Sequence, residues 1–117
     1  DGYDQLYCVA FSPDSKILLS GDSSYYLKRF DMDTRKKIDV FPKHDDKVQA
    51  IAFSPNGNLV ATGCDDHCVR IFSAKTKTLL YKKNIGAFVT CMEYKDDNLL
   101  IVGSYGAGMF VLSRKSE

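Results

Sequence analysis

A chain of 117 residues with 44% hydrophobic and 26% charged residues has a globular composition, which excludes intrinsic disorder and suits one ordinary domain. Sixteen basic residues against fifteen acidic ones leave a formal charge of +1. That is too little to steer the chain towards nucleic acid or an anionic membrane.

Tyr7 to Phe11 reads as a first strand and closes on Phe11-Ser12-Pro13. Ile17 to Ser20, Tyr26 to Phe30 and Lys37 to Phe41 follow as strands, each bounded by turn residues. A second set repeats the plan 42 residues later, from Phe11-Ser12-Pro13 to Phe53-Ser54-Pro55. It comprises Val48 to Phe53, Leu59 to Thr62, Cys68 to Phe72 and Thr78 to Lys83, with a turn from Gly63 to His67. Gly21 meets Gly63 and Phe30 meets Phe72, while Val9/Ile51, Ile17/Leu59 and Lys28/Arg70 are conservative exchanges. A looser third copy supplies Thr90 to Tyr94, Leu99 to Val102 and Met109 to Leu112, and its fourth strand is missing. No segment shows sustained helical periodicity.

Self-similarity at about 40–45 residues is the mark of a propeller built from four-stranded blades. The predicted fold is therefore all-β: a partial β-propeller of antiparallel blades at residues 6–41, 48–83 and 89–113, the last incomplete. Ile17-Leu18-Leu19 and Leu99-Leu100-Ile101-Val102 are apolar on both faces and need cover on both, which stacked blades provide. Propellers close with about 4–8 blades, so the chain is expected to be a segment of a larger propeller, its C-terminal blades, completed by blades of the parent chain. No apolar run approaches the roughly 20 residues that span a bilayer, and Asp1-Gly2-Tyr3-Asp4 is not a signal peptide. Cys8, Cys64, Cys68 and Cys91 form no disulfide framework, and reduced thiols in an intracellular setting, cytoplasmic or nuclear, are expected.

On these residues the chain resembles the WD-repeat family along essentially its whole length. The second repeat carries the pattern best: His44 four residues before Val48, Thr62-Gly63, Asp66 in the turn, and Val69-Arg70-Ile71-Phe72-Ser73 where Val-Arg-Ile-Trp-Asp is usual. Lys43 stands in place of the family's Gly. The resemblance implies a buried hydrogen-bond clamp of His44, Thr62 and Asp66, stopping at Thr62 because Phe72 lacks the indole N–H. A buried imidazole needs partners on both nitrogens, which the Asp66 carboxylate and Thr62 hydroxyl are expected to supply. The other repeats have Ser24 and Gly106 at the aspartate position, and Ile85 stands at the third histidine position. Only one blade can carry the clamp.

Cys64-Asp65-Asp66-His67-Cys68 has zinc-ligand residue types, but it falls on one tight turn with no second ligand pair, and no metal or cofactor is expected. The pairs Asp45-Asp46, Asp65-Asp66 and Asp96-Asp97 read as turn material rather than acid–base pairs. Gly103 to Gly108 is followed by a strand, whereas a phosphate loop needs a helix N-terminus. His44 and His67 have no nucleophile at an equivalent position, so no catalytic residues are assigned and no enzyme is expected.

The loops preceding each blade and the turns between its second and third strands share one face. It gathers Asp22, Asp45, Asp46, Asp65 and Asp66, offset by Lys43 and Lys47. The resemblance implies that this face binds protein or peptide partners, through Ser23, Tyr25, Asp45, Asp46, Lys47, Gln49, Asp65 and Tyr105. Tyr25 and Tyr105 are expected to be exposed, as hot-spot tyrosines would be. The opposite face carries Arg35, Lys36, Lys37, Lys75, Lys77 and Arg114. The expected function is a non-catalytic protein-interaction scaffold within a multi-subunit complex. The alternatives are a purely architectural subunit and a nucleic-acid module using Arg35-Lys36-Lys37 and Lys82-Lys83, the latter disfavoured by the near-neutral charge. A propeller enzyme would need its chemistry from other blades.

Overall fold

A computed structural model describes residues 5–113. Eleven strands and no helix form three antiparallel sheets among the described residues. The first sheet orders β1 (Leu6–Phe11), β2 (Ile17–Asp22), β3 (Leu27–Asp31) and β4 (Lys36–Val40). The second orders β5 (Val48–Phe53), β6 (Leu59–Cys64), β7 (Cys68–Ser73) and β8 (Leu79–Asn84) in the same way. The third has three strands, β9 (Val89–Asp96), β10 (Leu99–Ser104) and β11 (Gly108–Ser113). The described residues thus form a set of propeller blades, two four-stranded and one three-stranded. Arg114 and Asp1 to Asp4 lie outside the described residues.

The turns repeat in backbone as well as in sequence. Left-handed conformations occur at Ser15 and Gly57, at Tyr25 and His67, and at Arg35 and Lys77, three pairs 42 residues apart. Only one of the six is glycine, so local hydrogen bonding rather than side-chain freedom sets most of these turns. In the Phe-Ser-Pro turn the Ser12 hydroxyl accepts from Ile17 N at 3.0 Å, and Ser54 does the same for Leu59 N at 3.0 Å.

Gly63 was expected to open a turn, yet it and its counterpart Gly21 lie inside strands, paired with Val69 and Leu27. Their role is to admit the next sheet. A Cβ on Gly63 would sit 2.2 Å from Val89 Cγ1, and one on Gly21 would sit 2.8 Å from Val48 Cγ1. Each glycine at the end of the second strand of one blade therefore receives the valine that opens the next blade.

Two apolar cores result, one at each junction. Leu19, Leu27 and Phe41 of the first sheet pack on Val48, Ile51, Val60 and Phe72 of the second. Ala50, Ala61 and Val69 of the second pack on Val89, Leu100 and Val102 of the third. Because paired residues of an antiparallel sheet share a face, the middle strands of the second sheet, β6 and β7, are covered on both sides by the stacking.

Candidate functional site

The polar centre of the molecule lies at the first junction. Leu27 O anchors the chain after β4 by accepting from Phe41 N at 2.8 Å, and Tyr25 O accepts from His44 N at 2.8 Å. These bonds swing the His44 ring inward, where it is 2% exposed and its Nε2 lies 2.8 Å from Thr62 Oγ1. Phe72 packs against the imidazole at 5.6 Å and edge-on against Phe41 at 5.5 Å, filling the place of a larger indole.

The expected hydrogen bond from Asp66 to His44 is not formed. His44 Nδ1 has no hydrogen-bond partner among the described residues. The Asp66 carboxylate instead accepts from Arg70 at 2.7 and 3.3 Å and from the backbone N–H of Cys68 at 3.0 Å. Arg70 is 5% exposed and stands opposite Thr62 in the ladder, so its guanidinium takes the carboxylate that the imidazole would have used. A charged donor is the stronger competitor. Burial, reinforced by the Arg70 charge, pushes His44 down to about 4, so the ring is neutral at ordinary pH. Burial would raise the Asp66 carboxyl, but the Arg70 bonds hold it below the usual range.

Arg70 escaped the sequence reading although a signal existed. Lys28 and Arg70 repeat as cations at equivalent positions of the third strand, and each finds a carboxylate: Lys28 pairs with Asp22 at the end of β2 at 2.9 Å, Arg70 with Asp66 in the turn at 2.7 Å. A second missed network bridges the first two sheets. Asp39 takes Arg29 at 2.9 and 2.7 Å and Lys77 at 2.7 Å, while Arg29 also reaches the Ala74 carbonyl at 3.3 Å. Lys77 is therefore committed between blades and is withdrawn from the basic face on which it was placed.

On the loop face, backbone bonds recur at every blade. Ser23, Asp65 and Tyr105 donate to Gln5, Lys47 and Phe88, each at 2.9 Å, and Ile85 donates to His67 as His44 does to Tyr25. Every loop entering a blade is thereby pinned to the turn between that blade's second and third strands or to the preceding one. Ser23 also accepts from Gln5 N through its hydroxyl, and Asp65 from the Gln49 amide at 3.2 Å. Asp46 bonds Lys47 N at 2.8 Å. Tyr105 is 75% exposed. Tyr25, expected to be exposed, is half-buried, and the Lys43 ammonium lies over its ring at 5.7 Å. Asp45 is exposed but tethered, 3.3 Å from Arg70 and 3.8 Å from Lys82. His67 and Phe88, an edge-on pair at 4.8 Å, join the same face without having been singled out.

Among the described residues no three His, Cys, Asp or Glu are grouped so as to hold a metal ion, and no helix is long and apolar enough to cross a membrane. Burial pushes the Cys8 and Cys64 thiols up to about 11, which leaves them protonated and unreactive.

Comparison with known proteins agrees with this architecture. Among solved structures, the β-propeller domain of Myceliophteria thermophila Cps50 (Swd1) superposes with a TM-score of 0.86 at 14% identity, over 96% of this chain and 36% of that one. The structure of U3-55K gives 0.87 at 19% identity, over 93% and 36%. Among curated proteins, the ribosome biogenesis protein BOP1 homologs of Leishmania infantum and Leishmania braziliensis are 43% and 41% identical over 51 residues, 44% of this chain. The chain spans 6% and 7% of the length of those relatives. The family model described as WD domain, G-beta repeat matches residues 1–31 and 35–73, and the chain belongs to the WD40 family.

Proposed function

We propose that this chain is a segment of a larger WD-repeat propeller, with blades at 6–41, 48–83 and 89–113, that acts as a non-catalytic scaffold binding protein or peptide partners. The carrying observation is the loop face, where the same backbone bonds fix the entering loop and turn of every blade. Rigid loops present side chains at low entropic cost, which favours binding. The WD40 match supports an interaction role. The names of the ribosome biogenesis relatives support membership of a multi-subunit assembly in the nucleus. Asp65, Gln49 and Lys47 around the second blade, with Tyr105 of the third, form the proposed contact set, and Ser23, Asp45 and Asp46 border it.

Asp45 is a poor probe alone because it also faces buried Arg70. Asp65→Lys combined with Tyr105→Ala touches only exposed or half-buried groups. Affinity purification of the full chain, compared by mass spectrometry with this variant, is expected to lose specific partners at unchanged melting temperature. An identical partner set would defeat the assignment of this face. A nucleic-acid role through Arg35, Lys36, Lys37, Lys82 and Lys83 is the weaker reading, since Lys82 lies 3.8 Å from Asp45 and the chain's formal charge is only +1.

A further inference from the structure

Lys43, standing where the family has glycine, projects from the exposed loop between β4 and β5. Asp45 and Asp46 are two and three residues away, yet Lys43 makes no ion pair among the described residues. Its ammonium lies 5.7 Å from the centroid of the Tyr25 ring and 5.9 Å from that of Tyr26. The backbone sets this up: Tyr25 adopts a left-handed conformation at φ 73°, and its carbonyl receives His44 N at 2.8 Å, one residue from Lys43. At the next junction His67 occupies the equivalent turn position, and it meets Phe88 instead of a cation.

We propose that Tyr25 and Tyr26 form a cation-receiving site on the loop face, held closed by Lys43, and that its ligand is the ammonium head of a partner's lysine, preferred in methylated form. Two ring faces attract a cation through their quadrupoles, and a quaternary head sheds its hydration more readily than a primary ammonium. Lys43 is tethered to the rings only by this contact, so it can turn out to solvent when a competing cation enters. The proposal rests on the loop-face reading and names the group that face recognises.

The test uses the full chain and a neutral acetylated pentapeptide, Gly-Ser-Lys-Ser-Gly, with the lysine trimethylated, unmethylated or replaced by norleucine. Tyrosine ring resonances are followed by NMR. In the Lys43→Ser variant the trimethyllysine peptide is expected to shift the Tyr25 and Tyr26 rings and to bind about threefold tighter than to the unaltered chain. Tyr25→Asn, which tolerates positive φ, and Tyr26→Leu, each in the Lys43→Ser background, are expected to abolish the effect separately. Unmoved rings in Lys43→Ser, equal shifts with norleucine, or binding of unmethylated lysine as tight as of the trimethylated form would each overturn the site. If the rings stay unmoved while Asp65→Lys with Tyr105→Ala still loses partners, the cation site fails and the scaffold reading stands. If the reverse occurs, only the proposed contact set fails.

Discussion

The two junctions between sheets share a backbone plan and are filled by opposite chemistry. Between the first and second sheets lie His44 with Thr62, Phe41 with Phe72, and the strut of Arg29, Asp39 and Lys77. Between the second and third, Ile85 and Val102 stand at the positions of His44 and Thr62, Ile71 and Tyr81 at those of Arg29 and Asp39, and Lys83 at that of Phe41. An open groove of about 640 Å³ lined by Leu59, Ile71, Tyr81, Tyr94, Leu100 and Leu112 runs along the second junction, and one of about 310 Å³ along the first. What both keep is the glycine–valine contact at the inner end. Blade spacing is therefore set by steric fit, and the polar groups add orientation to a geometry that apolar packing already holds.

That view is most easily broken at the glycines. Gly63→Ala places a methyl 2.2 Å from Val89 Cγ1, and Gly21→Ala places one 2.8 Å from Val48 Cγ1 and from Cys8 Sγ. Overpacking on this scale is expected to cost about 3 kcal/mol at Gly63 and about half that at Gly21, where the clash is shallower. Urea denaturation checks both, and adding Val89→Ala is expected to recover much of the Gly63→Ala loss. A neutral Gly63→Ala would show that blade spacing is set elsewhere.

Acid sharpens the contrast, because only the first junction holds a buried histidine. His44 is depressed to about 4 in the folded chain against 6.5 for the free group. Between those values the unfolded chain binds more protons than the folded one. Stability is therefore full above pH 6.5, falls as pH drops, and levels near pH 4. The integrated loss is about 3 kcal/mol. Asp22, Asp39 and Asp66 are held below 3.8, so what they contribute is lost only as pH falls further, through their own lowered values. Urea midpoints measured from pH 8 to pH 3 are expected to show both limbs in the unaltered chain and only the lower one in His44→Gln. A surviving upper limb in that variant would place the titrating group elsewhere.

The legible part of this fold was the part that repeats. Strand positions were readable within two residues of those observed because Phe-Ser-Pro and the paired glycines fix the register of each copy. The misreading at Gly63 came from treating glycine as turn chemistry, when the demand was for space beside another strand. His44 and Thr62 were legible because the family pattern spaces them. The partner of Asp66 was not, because two donors competed for one carboxylate and only three-dimensional register puts Arg70 opposite Thr62. Tyr25 was misjudged for a similar reason: nothing in its own turn indicates that Lys43, 18 residues later, approaches its ring.

The smallest effect tests whether the strut adds stability or only orientation. Arg29, Asp39 and Lys77 are about one-fifth to one-quarter exposed, so their charges are partly desolvated and only partly screened. Removing one member alone leaves the others unmatched: Asp39→Asn is expected to lower stability by about 1 kcal/mol, with the difference shrinking in high salt. Replacing Arg29 and Asp39 together by the residues that the second junction uses, Arg29→Ile with Asp39→Tyr, removes that pair's desolvation cost along with its attraction and leaves Lys77, 28% exposed, to turn out to solvent. Such exchanges of a buried ion pair for apolar groups are commonly neutral or stabilising. The double variant is thus expected to match or exceed the unaltered chain in urea while the single variant falls below it. A double variant as unstable as Asp39→Asn would mean that the strut itself holds the first two sheets together, and that the two junctions differ in kind rather than in filling.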